Sequence, residues 1–280
     1  MRRHLLALLA CASALVAPSQ AATQELSAGV ELATDRSTWH FDNPSSHDDG
    51  GLVPHYFEQH YVLDNVWLTT SASYRASIDW TTRVAFTPVR QALATDYDTF
   101  FDRGNVVTVI GTTGDARMHG LKLEQALELG RRGRTRLSGG YRLRVDMADF
   151  LAGDRTETRN DVLVNRSIVT TREFTNGQTH ELYLRGERRW DAGARWQWTA
   201  AADAAPAVHR LSIQLPDKYP GQTLVYRTAG IATTGRVALT RSGAWPVTLS
   251  ATGARSWNYR RAQWVRRSSL ALGLTLARAW

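Results

Sequence analysis

The sequence predicts an all-β fold, a closed antiparallel transmembrane β-barrel of about ten strands. Three observations carry the prediction. Apolar and polar residues alternate with period two along most of the chain, connections between the alternating segments are short and long by turns, and the last segment ends on an aromatic residue.

In 66–76, Val66, Leu68, Ala72 and Tyr74 share one face, and Thr69, Ser71, Ser73 and Arg75 the other. Ile78, Trp80, Val84 and Phe86 then oppose Asp79, Thr81 and Arg83. Leu121, Leu123, Leu127 and Leu129 oppose Lys122, Glu124 and Glu128. Leu137, Tyr141, Leu143, Val145 and Met147 oppose Ser138, Arg142, Arg144 and Asp146. Leu182 and Leu184 alternate with Glu181, Tyr183, Arg185 and Glu187. Trp196, Trp198, Ala200, Ala202 and Ala204 alternate with Gln197, Thr199 and Asp203. Ile231, Val237 and Leu239 face away from Ala232, Thr234 and Arg236. The last segment sets Leu270, Leu272, Leu274, Leu276 and Trp280 against Ala271, Gly273, Thr275 and Ala277.

A soluble sandwich also alternates. Here the polar face carries many full charges, which suits a hydrated, ion-paired lumen. Arg83, Arg142, Arg144 and Arg185 stand there with Glu124, Glu128, Asp146 and Glu187 as expected partners. Short turns are expected near Ala76-Ser77, 131–134, 190–193 and 242–244, and long outer connections near 42–55, 96–115, 151–173, 213–223 and 259–266. Trp67, Trp80, Trp190, Trp196, Trp198, Trp245, Trp257 and Tyr259 are read as interfacial aromatics. Closure follows because lipid offers an open sheet edge no hydrogen-bond partner.

The N-terminus reads as a signal peptide over residues 1–22. Arg2 and Arg3 precede an apolar run from Leu5 to Val16, and Ser19-Gln20-Ala21 offers small residues for cleavage. Cys11, the one cysteine, falls within that apolar run, so a disulfide framework is excluded. Residues 23–280 form one barrel domain, with no Pro-rich or Gly/Ser linker to divide it. The net charge of +8 does not by itself imply nucleic-acid binding. Outer-membrane lipid and the barrel-assembly machinery, met through the C-terminal strand, are the expected partners.

The order of elements resembles the omptins, ten-stranded outer-membrane proteases whose barrels project beyond the bilayer. The likeness includes a first strand near 25–39, a Gly-containing outer loop near 43–54, strands near 116–130 and 135–156, and Asp96-Tyr97-Asp98 followed by Phe100 and Phe101. These last residues look like the omptin Asp-x-Asp-aromatic stretch. The resemblance implies a surface endopeptidase with a polypeptide substrate, in which Asp96 and Asp98 polarise the attacking water and Asp217 stands on the opposite wall. Omptins keep a His beside that last Asp as general base; here Lys218 or Tyr219 occupies its place, and His209 lies eight residues earlier. Read from the residues alone, Asp96 and Asp98 also fit a solvated turn pair on a surface loop. Their direction is a further question, since unbroken alternation from Asp79 and Arg83 turns them outward, and a bulge near Pro88 turns them in.

Other candidates are weaker. His40, His47, His55 and His60, with Asp42, Asp48 and Asp49, gather around the first outer loop, but their spacing matches no ordinary zinc pattern, and a solvated loop is the expectation. No resident cofactor is expected. Arg260, Arg261, Arg266 and Arg267 flank the last outer loop and suit either a plain basic loop or lipopolysaccharide phosphates, which basic residues hold in omptins. No Gly-x-Ser-x-Gly occurs to support lipid hydrolysis. The non-enzymatic alternative is a barrel serving adhesion, envelope integrity or narrow solute passage.

Overall fold

A computed structural model describes residues 25–43, 56–77, 79–102, 105–169, 173–214, 216, 220–260 and 263–280. The strands are β1 (Glu25–Asn43), β2 (Tyr56–Arg75), β3 (Trp80–Asp102), β4 (Asn105–Arg132), β5 (Thr135–Arg159), β6 (Val162–Val169), β7 (Glu173–Asp191), β8 (Trp196–Gln214), β9 (Leu224–Arg241), β10 (Val247–Arg260) and β11 (Gln263–Ala279). Each pairs antiparallel with its neighbour, β1 closes on β11, and β5 pairs with both β4 and β7. The ring therefore has ten members. β6 lies outside it, paired with the upper end of β5. Its register continues almost directly into β7, so β6 and β7 act as two stretches of one descending strand.

Three expected long connections, 96–115, 151–173 and 259–266, are largely strand. β3 runs on to Asp102, β4 starts at Asn105, and β5 and β6 form a hairpin through Asn160 and Asp161. Both tip residues have positive φ, 48° and 63°, as a two-residue turn matched to strand twist requires. These extensions lack alternation because water meets both of their faces, while main-chain pairing continues regardless. Strands of 14–28 residues exceed the ~9–11 that span a bilayer, so the barrel projects beyond the apolar band.

The packing is inside-out. Large apolar residues stand exposed around the outer wall, with Leu182 at 64% and Leu270 at 62%, whereas the largest fully buried side chains are Glu181, Asn65 and Ser37. A sandwich would bury the leucines. On the outer face the apolar run ends at Thr34 and Arg36 on β1, Asp115 and Arg117 on β4, Asn176 and Gln178 on β7, and Arg210 on β8. Exposed Trp190, Trp196, Trp245 and Trp280 cluster at the short-turn end, and Arg278 lies over both Trp245 and Trp280, 5.1 and 5.6 Å from the ring centroids. Trp67 departs from the expected girdle. It falls between outward Val66 and Leu68 on the lumen side, with the Arg90 guanidinium 5.1 Å from its centroid. Arg for Leu272, midway along the apolar run of β11, is expected to cost ~2–4 kcal/mol in lipid, read from urea unfolding in phospholipid vesicles against Leu272→Ala.

Candidate functional site

The lumen is filled in layers, and the mouth is built on top of them. An ion-paired layer is carried by β4, β5, β7 and β8. Arg142 donates to Glu181 at 2.8 Å and to Asp203 at 3.1 Å, and lies 3.4 Å from Glu124. Arg185 donates to Glu124 at 2.9 Å and Asp203 at 3.2 Å, Lys122 meets Glu124 at 3.1 Å, and Arg144 joins Glu181. The Tyr183 ring lies against both guanidinium groups, 4.7 Å from Arg142 and 4.9 Å from Arg185, and its hydroxyl donates to Glu124 at 3.1 Å. Gly140 makes this possible: a Cβ there would overlap the Gln125 carbonyl oxygen and press on the Tyr183 hydroxyl.

The expected charge network is thus present around Glu124, with two of its other acids exchanged. Glu181 and Asp203 take the places given to Glu128 and Glu187, which pair nearer the short turns with Arg131 and Arg136, and with Arg189. Register decides this. Glu124 is directly opposite Arg142, Arg142 opposite Glu181, and Arg185 opposite Asp203.

Above this layer, on the β1–β3 wall, Asn65 donates to Asp35 at 2.6 Å and accepts from Arg90 at 3.0 Å, while Arg90 stands 3.5 Å from Asp35. Beside them Leu63, Ala92, Ala94 and Ala116 form a buried apolar shelf, joined by Met118 and Phe150. Buried residues this far up the wall leave the mouth a floor.

The β3 register shifts below the acidic pair. The β3–β4 ladder shifts between Thr87 and Arg90, and the β2–β3 ladder between Leu68 and Thr70. Below the shift Phe86 is exposed; above it Ala92 and Ala94 are buried while Gln91, Leu93 and Tyr97 are exposed. The face has switched, as one extra residue requires. Positions 96 and 98 continue the lumen set of Ala92 and Ala94, opposite Tyr61 and Gln59 on β2 and opposite Thr112 and Ile110 on β4. They belong to the strand rather than to a loop. Their side chains, and Asp217 altogether, lie outside the described residues.

His209 is on β8 among lumen positions, its ring nitrogen 2.9 Å from the Thr179 hydroxyl. It belongs to the wall, below the β8–β9 connection where the family's base would stand. Glu173, which the sequence reading left in a connection, opens β7 on the lumen side opposite Phe150, three strands around the wall from β3. Burial pushes its carboxyl above the ordinary range, so it holds its proton to higher pH than a solvated Glu. Knowing where β7 begins is what reveals it. Among the described residues no three metal-capable side chains converge. Residues 1–22, His47, Asp48, Asp49, His55 and Arg261 lie outside the described residues, as do the side chains of Asp42 and Arg260.

A closed, inside-out antiparallel barrel with long upper strand ends is the architecture of outer-membrane β-barrels. Among solved structures, the outer membrane protease OmpT from Escherichia coli matches 91% of this chain and 97% of its own, with a TM-score of 0.61 and 9% identity. At that identity the likeness speaks for the fold. The outer membrane protein OprG from Pseudomonas aeruginosa (10% identity, 94% of this chain, 99% of its own, TM-score 0.33) overlaps too loosely to bear on the argument. The same holds for the translocator domain of autotransporter NalP from Neisseria meningitidis (10% identity, 97% and 94%, TM-score 0.37). No protein-family model matches the chain, and no curated protein matches it in sequence.

Proposed function

We propose that the chain is exported by its N-terminal segment, inserted in the outer membrane of a Gram-negative cell through the C-terminal strand, and works there as an omptin-like surface endopeptidase. The observation that supports the catalytic reading is the bulge between Thr87 and Arg90, beyond which positions 96 and 98 share strand parity with buried Ala92 and Ala94. In this reading Asp96 and Asp98 polarise the attacking water and Asp217 closes the site from the β8–β9 connection. The role of the family's His is unassigned, with Lys218 or Tyr219 standing in its place. Lipopolysaccharide bound by the outer basic residues would support the site from the side.

A second reading is favoured by Lys218 and Tyr219 standing where omptins keep the His: a barrel that has lost catalysis and serves as a surface adhesin or envelope component. A peptide-library cleavage assay, on protein refolded in lipopolysaccharide-containing detergent, separates the two. Cleavage that falls at least ~100-fold in Asp96→Asn with Asp98→Asn is the expected result, given what a positioned acid–base pair contributes. Cleavage indifferent to that double change removes the pair from the mechanism, and no cleavage by the native protein leaves the adhesive reading.

A further inference from the structure

We propose that the short-turn rim of the barrel is a docking surface for anionic phospholipid of the periplasmic leaflet, with Arg132, Arg188, Arg241 and Arg278 receiving the headgroup phosphates. The surface rests on the barrel alone and is independent of any peptidase activity.

The argument begins with strand parity. β4 ends at Arg132 and β9 at Arg241, β11 ends one residue beyond Arg278, and β7 three beyond Arg188. All four therefore stand at the short-turn end, the periplasmic one in barrels of this architecture. They also share the outer face. Arg188 has the parity of Leu182 and Leu184, Arg241 that of Val237, and Arg278 that of Leu272, Leu274 and Leu276, all exposed. Arg132 is directly opposite Thr135, which follows exposed Leu137 on the outer face of β5. Thr135 is in turn opposite Arg188, so these two arginine positions are two strands apart, about 10 Å at ~4.8 Å per strand. Each arginine follows the apolar run of its wall and comes level with the headgroups, its aliphatic stem suited to lie on the apolar surface.

The second observation is charge. The other arginines of this end are matched: Arg131 and Arg136 with Glu128, Arg134 with Asp191, and Arg189 with Glu187. Among the described residues none of the four outer arginines has a carboxylate partner, and all are exposed. Glu128 and Glu187 belong to the lumen side, and Asp79 is in the β2–β3 turn, outside the β7–β11 arc that carries three of the four. A positive outer rim without acids of its own is complementary to a negative surface. Guanidinium pairs phosphate through two parallel hydrogen bonds.

The third observation fixes depth. Trp190, Trp196, Trp245 and Trp280 are exposed among these arginines, with Trp196 directly opposite Arg241. Arg278 lies 5.1 Å from the Trp245 centroid and 5.6 Å from that of Trp280. Indole rings settle at the headgroup boundary, which brings the neighbouring guanidinium groups to the phosphate layer. Phosphatidylcholine carries a cation beside its phosphate and offers the rim no net charge. Phosphatidylglycerol does, and it is the class the rim selects.

Native mass spectrometry of the full-length protein, refolded in detergent micelles holding equal amounts of phosphatidylglycerol and phosphatidylcholine, tests the proposal. The native barrel is expected to retain phosphatidylglycerol at least about ten-fold over phosphatidylcholine, less than the summed attraction of four cations at an anionic surface. Arg132→Gln, Arg188→Gln, Arg241→Gln and Arg278→Gln in one chain are expected to remove the preference. A triple variant that keeps Arg278, and so leaves β11 unaltered for insertion, is expected to cut it at least about five-fold, as loss of even one such cation does. An unchanged circular dichroism spectrum verifies folding. The charge-matched variant at the opposite end, Arg36→Gln, Arg117→Gln, Arg210→Gln and Arg255→Gln in one chain, is expected to keep the native preference. Equal retention of the two lipids by the native barrel overturns the surface. So does a preference that survives in the triple variant, or one that falls as far when the opposite end is changed.

Discussion

Replacing Glu181 by Leu is expected to destabilise the barrel by ~3–5 kcal/mol, the cost of stranding a buried charge whose partner has been removed. Glu181 has a side chain with no exposed area and receives both Arg142 and Arg144. Its layer holds four cations, Lys122, Arg142, Arg144 and Arg185, against three carboxylates, Glu124, Glu181 and Asp203. Loss of an acid widens that imbalance in the part of the lumen least open to water. Loss of Lys122 does the opposite. Its side chain is 38% exposed, among the described residues of the layer it pairs with Glu124, and Lys122→Met brings the charges level. The measurement is urea unfolding in vesicles, with Lys122→Met within ~1 kcal/mol of the native protein, as a partly solvated pair is worth. Equal effects from the two substitutions would mean that the layer is not organised by charge balance.

The contrast between these two residues shows what the sequence holds and what it withholds. Alternation names a lumen side for the eight segments that show it, and it placed Glu181, Asp203, Arg142 and Arg185 on the inside without saying which of them meet. Partners on different strands depend on register, and register depends on bulges that leave little trace in composition. Pro88 hinted at one. The shift beside it is what moves positions 96 and 98 from the outer set to the inner set. The same ignorance hid Glu173, because nothing in the sequence 151–173 marks where the pairing of β7 with β5 begins. Trp67 misled for a related reason. Aromatic residues mark an interface only when they face lipid, and this one faces Arg90. Above the membrane the signal fades altogether, since a strand wetted on both sides has no reason to alternate.

The native barrel is expected to be electrically silent in planar bilayers, and removing the layer's side chains is expected to open it. A ring of ten strands is only slightly wider than the eight whose interior side chains just fill. Arg142 reaches carboxylates on β4, β7 and β8 from its place on β5, so one guanidinium ties four neighbouring strands. Tyr183 occupies the space between Arg142 and Arg185, and the apolar shelf of Leu63, Ala92, Ala94 and Ala116 narrows the passage further up. An ion entering from the mouth meets first the shelf and then a layer whose hydrogen bonds are already made. Combined replacement of Arg142, Glu181, Arg185 and Asp203 by Ser removes two cations and two anions, so the net charge of the lumen is preserved and the change is one of volume. Discrete ohmic steps in the quadruple variant, absent from native protein reconstituted in parallel, are the expected record. Steps of equal size in the native barrel would show that water and ions already pass the layer, and would return narrow solute passage to contention as its function. Silence in the folded variant would place the seal at the shelf, where Ala92 and Ala116 face each other across the β3–β4 ladder.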